Sequence, residues 1–273
     1  MSAPRQQARL FFVALQFLTR VPVPAWAGAG FQAHWLNGCV AWFPLVGALV
    51  GVWGAAVLLL AGLWWPPLVA ALLAVAATLW LTGAFHEDGL ADTFDALGGA
   101  VPRERALEIM KDSRIGTYGA AALGLALALR VALLAAIAAS APGFAALALV
   151  AAHLLGRTAA VAVMGALPYA GDADHAKAKP LATAPHRSTV RRAAVGALAM
   201  VGVIAAVAVG GSLQADAARA PWVWVGAVAA TGAVVLAMRR WLARRLGGYT
   251  GDALGATEQL TEIAVLMVCA GGL

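Results

Sequence analysis

The sequence predicts an all-α protein: a polytopic integral membrane helical bundle of about seven transmembrane helices plus an N-terminal interfacial helix. Three observations predict it. Hydrophobic residues make up 62% of the 273 and charged residues only 12%, against about 25% in soluble domains, and mean hydropathy is +0.82. Apolar runs of membrane-crossing length recur along the whole chain. The ions are sorted into alternate breaks between those runs. A soluble alanine-rich bundle would need polar helix faces, which most of these segments lack.

At the N-terminus, "RLFFVALQFL" followed by "AWAG" imitates a secretory leader. Thr19, Arg20, Pro22 and Pro24 interrupt it before the supposed cleavage site, so it reads as an amphipathic interfacial helix that stays attached. Spans are expected near residues 37 to 60, 68 to 85, 116 to 139, 144 to 168, 193 to 211, 221 to 238 and 253 to 272. Cys39 and Cys269 lie far apart inside apolar runs and read as packing residues. No soluble domain, linker, low-complexity tract or repeat interrupts the pattern, so residues 1–273 form one domain.

The breaks are of two kinds. "GLWWPP" (62 to 67), "SAPG" (140 to 143) and "SLQADAARAP" (212 to 221) are short and nearly uncharged. The N-terminal arm and residues 86 to 115, 169 to 192 and 239 to 252 hold 16 of the 19 Lys and Arg. The positive-inside rule puts these segments and the N-terminus on the cytoplasmic side of the membrane. The net charge of +6 expresses that orientation rather than nucleic-acid binding. Oligomeric state is left open.

Chemistry concentrates in "TGAFHEDGLADTFDALGG", residues 82 to 99. Asp88, Asp92 and Asp95 stand at i, i+4 and i+7, so on a helix they share a face. Carboxylates so grouped repel unless a cation joins them. An all-oxygen set without cysteine suggests Mg²⁺, which commonly bridges to phosphates. His86 could position a phosphate or take a proton. Ser113, Arg114, Gly116 and Thr117 follow in "KDSRIGTYGA", a mixture suited to phosphate contact. Thr250 and Asp252 lie in "GGYTGDALGA", again in a charged break. Arg130, Arg157, Glu258 and Glu262 are ions inside apolar spans and should face the bundle interior. Pairing is the expected state of Arg130, and a substrate phosphate is the expected contact of Arg157.

These residues carry a resemblance. "FLTRVPVP" (17 to 24), "FPLVGALVG" (43 to 51), residues 82 to 99, "LEIMKDSRIGTYGA" (107 to 120), "GRTAAV" (156 to 161), "LPYA" (167 to 170) and "GGYTGDALGA" (247 to 256) occur in order. Over nearly the whole chain the sequence resembles the cobalamin synthase (adenosylcobinamide-GDP ribazoletransferase) family. The resemblance implies Mg²⁺-dependent attack of α-ribazole, or its 5′-phosphate, on adenosylcobinamide-GDP with release of GMP. It places Mg²⁺ on Asp88, Asp92 and Asp95, and catalysis on His86 and Asp88. Substrate contact is implied at Ser113, Arg114, Gly116 and Thr117, joining that expected of Arg157, and substrate binding or a structural role at Thr250, Asp252 and Glu262.

Two departures stand out. Glu87 replaces the apolar residue expected between His86 and Asp88, as a further ligand or a solvated charge. Gly171 stands where a basic residue usually follows "LPYA", with Lys177 and Lys179 as substitutes further along. Two other readings compete. CDP-alcohol phosphotransferases place an arginine where Asp92 follows Ala91 here. A transporter with a cation-binding gate would place carboxylates near the bilayer midplane of broken helices.

Overall fold

The computed structural model describes residues 3–28, 30–32, 34–171, 185–210 and 221–271. Among the described residues there are twelve α-helices, and the one extended pairing is an isolated bridge between Tyr169 and Tyr249. In chain order they are α1 (Ala3–Leu18), α2 (Ala25–Gly28), α3 (His34–Cys39), α4 (Phe43–Ala61), α5 (Pro67–Thr82), α6 (Phe85–Gly98), α7 (Arg103–Ile109), α8 (Thr117–Ser140), α9 (Pro142–Ala166), α10 (Arg187–Gly210), α11 (Pro221–Arg245) and α12 (Gly251–Gly271). A short 3-10 turn joins α3 to α4.

Six of these stretches are long and apolar enough to cross a membrane: His34–Ala61 and α8 to α12. A seventh requires α5 and α6 together, bent by 89°. The span expected over 68 to 85 therefore stops early. α5 has 16 residues, about 24 Å of helix, which is short of a roughly 30 Å hydrocarbon core. Gly83 (φ +71°) and Ala84 (φ +57°) both adopt the left-handed region, and the N–H groups of both return to the Leu79 carbonyl. Arg20 holds the bend from outside, donating its backbone N–H to Leu81 O at 2.8 Å. Its guanidinium lies where any Cβ on Gly83 would come within 2.6 Å.

Two other helices outrun their apolar runs. α10 starts at Arg187 rather than 193, and α11 continues to Arg245 rather than stopping near 238. Hydropathy marks the hydrocarbon core, whereas Arg and Ala carry a helix beyond it. The exposed Arg191, Arg192, Arg239, Arg240 and Arg244 then reach polar surroundings.

The most enclosed helix is α9. α4 packs on it through Gly47 and Gly51, where a Cβ on Gly51 would lie 2.6 Å from the Val150 Cα. Small residues of this kind allow close helix approach in lipid. α12 packs on another side of α9, with Gly156 against the Glu258 side chain. α1 is amphipathic and buries Leu10, Val13, Ala14, Leu15 and Leu18 in a cluster with Trp35, Cys39 and Phe43. Cys39 and Cys269 are free and buried. Trp64, Trp65 and Trp222 are exposed at the sparsely charged ends of their helices, as expected of an interfacial aromatic belt.

Candidate active site

α6 carries the acidic motif and has two faces with opposite fates. His86, Glu87, Leu90, Thr93 and Leu97 turn inward and are buried. Asp88 is exposed, and Asp92 and Asp95 are partly so. The three aspartates thus share a face, as their spacing requires. Asp88 has no ion pair among the described residues. Asp95 is engaged differently: its Oδ2 accepts the Gly116 N–H at 2.7 Å and its Oδ1 the Gly119 N–H at 2.8 Å.

α6 is pressed against the start of α12. A Cβ on Gly89 would come within 2.7 Å of the Asp252 carbonyl, and one on Gly255 within 3.0 Å of the His86 carbonyl. This crossing brings the open face of α6 beside the last charged loop. Thr250 is buried there and accepts the Ala253 N–H at 3.2 Å, capping α12. Asp252 stands in the first helical turn, where the helix dipole favours an acid. The neighbouring loops are tied together: Ala170 N–H donates to Tyr249 O at 2.8 Å, and Tyr249 N–H to Pro168 O at 2.9 Å. Burial pushes the Tyr249 phenol up to about 12. Arg245 binds the carbonyls of Leu97 and Gly99 at 2.9 and 2.7 Å, and Arg103 that of Leu246 at 2.7 Å. "LPYA", "GGYTG" and the end of α6 therefore form one connected rim.

On the other flank, Ser113, Arg114, Gly116 and Thr117 are all exposed in the turn leading into α8. Arg114 pairs with Asp112 at 2.6 Å, and that carboxylate holds the guanidinium above its ordinary value. Lys177 and Lys179 lie outside the described residues.

A second charged group lies deeper, near the middle of α8, α9 and α12. Arg130 pairs with Glu87 at 2.8 Å and Glu262 at 2.9 Å, and also donates to Gln259 at 2.8 Å. Arg157 pairs with Glu258 and, at 3.2 Å, with Glu262, while His153 meets Glu262. His86 joins through its Nε2, 2.6 Å from Glu258 Oε2. All eight are 5% exposed or less.

The structure therefore divides the expected site residues. Asp88, Asp92, Ser113, Arg114, Gly116, Thr117 and Asp252 line one open end. His86, Arg157 and Glu262 are not brought there: all three are buried, with His86 paired to Glu258, Arg157 to Glu258 and Glu262, and Glu262 also to Arg130 and His153, while Arg157 Nε has no hydrogen-bond partner among the described residues. Glu87 is neither solvated nor on the aspartate face; it is the partner of Arg130. Among the described residues, the trio whose ligand atoms come within 4.8 Å of one another is His153, Glu258 and Glu262. Two guanidiniums already supply positive charge there, so ion pairing accounts for its carboxylates. Those mid-helix carboxylates are also the ones a transporter would use, and Arg130 and Arg157 hold them.

Sequence spacing missed Arg103 and Arg245 as rim anchors and Asp95 as a partner of α8. The one hint at Asp95 was a glycine, Gly116, where a helix start usually has a capping side chain.

Fold and site together define a polytopic membrane protein with an acidic helix face beside an exposed turn at the charged end of its bundle. The chain belongs to the cobalamin-5-phosphate synthase family, whose model matches residues 10–270. It is 49% identical over 269 residues to the adenosylcobinamide-GDP ribazoletransferase of Leptothrix cholodnii, covering 98% of this chain and 97% of that one. It is 41% identical over 272 residues to the protein of the same name from Shewanella amazonensis, with the same two coverages. No solved structure matches.

Proposed function

We propose that this protein joins adenosylcobinamide-GDP to α-ribazole, or to its 5′-phosphate, and releases GMP. Family membership over nearly the full chain supports the reaction. The observation that carries the site is the open face of α6, with exposed Asp88 and partly exposed Asp92 between the 113–117 turn and the 250–252 loop.

The ribazole hydroxyl oxygen attacks the phosphorus nearest the corrinoid, the bond to the GMP oxygen breaks, and the hydroxyl proton passes to an acceptor. A carboxylate of the open face suits that role better than His86, whose Nε2 is engaged by Glu258. His86 holds α6 against α12. The exposed side chains of Ser113, Arg114 and Thr117 bind phosphate oxygens. Asp88 and Asp92 offer the hard oxygen donors that suit Mg²⁺. Bound there, the ion would offset charge on the pyrophosphate and the departing GMP.

The segregation of Lys and Arg supports a bacterial inner-membrane location with the N-terminus and these loops in the cytoplasm. The test is GMP release by the protein in liposomes given adenosylcobinamide-GDP and α-ribazole, with and without Mg²⁺. Mg²⁺-dependent release is expected; no release from folded protein under either condition would overturn the reading.

A further inference from the structure

We infer that Asp95 is a positioning residue: it docks on the N-terminus of α8 and fixes the phosphate-binding turn against α6. This inference rests on the proposed reaction for its kinetic consequences, but not for its geometry.

The first turn of a helix has N–H groups without intrahelical partners, and a side chain at the N-cap usually accepts one of them. The N-cap of α8 is Gly116, which supplies no side-chain bond. Asp95, from another helix, takes its place. One oxygen accepts from the N-cap glycine and the other from Gly119, three residues on. A carboxylate there also meets the positive end of a 24-residue helix.

The space is shaped for it. A Cβ on Gly116 would approach Asp95 Oδ1 to 2.5 Å. A Cβ on Gly119 would come within 2.8 Å of Asp95 Cγ and 2.7 Å of the Ala91 carbonyl, one turn earlier on α6. Both glycines thus belong to the carboxylate's seat. Ser113 and Arg114 precede it, and Thr117 lies within it, so their position relative to Asp88 and Asp92 depends on this contact. With each oxygen already accepting a backbone N–H, Asp95 is assigned to the turn and metal binding to Asp88 and Asp92, an assignment that the half-activating Mg²⁺ concentration tests.

The test compares wild type with Asp95→Asn and Gly119→Ala in liposomes, measuring KM for adenosylcobinamide-GDP, kcat and the half-activating Mg²⁺ concentration. Gly119→Ala removes no carboxylate but fills the seat. Both variants should raise KM about tenfold while half-activating Mg²⁺ stays within about twofold. In parallel, amide hydrogen exchange is read over residues 113–120, with 252–262 as the fold control. Exchange in 113–120 should speed up about tenfold or more in both variants and stay unchanged in the control. A tenfold shift in half-activating Mg²⁺ for Asp95→Asn alone, with exchange unchanged, would make Asp95 a metal ligand and overturn the inference. Unchanged exchange with unchanged kinetics would overturn it equally. If wild type releases no GMP, the proposed reaction falls, and the exchange measurement decides the anchor by itself.

Discussion

Glu87 and Arg130 are 5% and 1% exposed, so removing Arg130 strands the Glu87 charge where water cannot reach it, and removing Glu87 leaves Arg130 with Glu262 as its remaining carboxylate partner. Breaking such a pair costs about 3–5 kcal/mol, whereas replacing both partners with apolar residues of similar volume is often nearly neutral. Glu87→Leu and Arg130→Met should each lower the unfolding temperature in detergent clearly. The double variant should recover most of the loss, because Glu262 keeps His153 and Arg157. Additive losses in that cycle would show that the two are not coupled. Arg130 was legible as an ion needing a partner, but Glu87 was not legible as that partner. The spacing that groups Asp88, Asp92 and Asp95 says they share a face without saying that Glu87 lies on the opposite one. For the same reason His86 read as a free base within the motif, when packing against α12 had turned it inward.

At the scale of elements, the bend between α5 and α6 decides where the acidic face points. An L residue in the left-handed region costs roughly 1–2 kcal/mol, and a side chain on Gly83 would also meet Arg20. Gly83→Val should therefore destabilise the protein by at least about that amount. Ala84→Gly relieves the same strain at φ +57° and should raise stability by roughly 0.5–1 kcal/mol. Thermal melts of both variants check the pair of signs; destabilisation by Ala84→Gly would contradict the bend as the strained point. Six of the seven spans were legible because a hydrocarbon core demands long apolar runs. The bend was not, because hydropathy continues almost to Gly83 and the turn is made by left-handed backbone and by Arg20, which is more than 60 residues away in sequence.

For the whole molecule, the sorting of charge predicts that the α6 face, the 113–117 turn and the α12 start share one side of the membrane, and "GLWWPP" the other. Cys39 and Cys269 are fully buried, so introduced cysteines can be read against a silent background. Arg114→Cys should react with a membrane-impermeant thiol reagent in inside-out vesicles only, and Trp64→Cys in right-side-out vesicles only. Reaction of both from the same side would contradict the topology. The shared side was legible from Lys and Arg alone, and the motif residues around it from their spacing and resemblance. The separation of an open aspartate face from a buried ion network needed the three-dimensional packing of α6 on α8 and α12. That separation is the central claim, and it is tested most directly by GMP release in Mg²⁺-containing liposomes from Asp88→Asn beside the Glu87→Leu/Arg130→Met double variant. The account predicts a loss of about 100-fold or more for Asp88→Asn and near wild-type release from the folded double variant; the reverse pattern would place the chemistry in the buried network and contradict it.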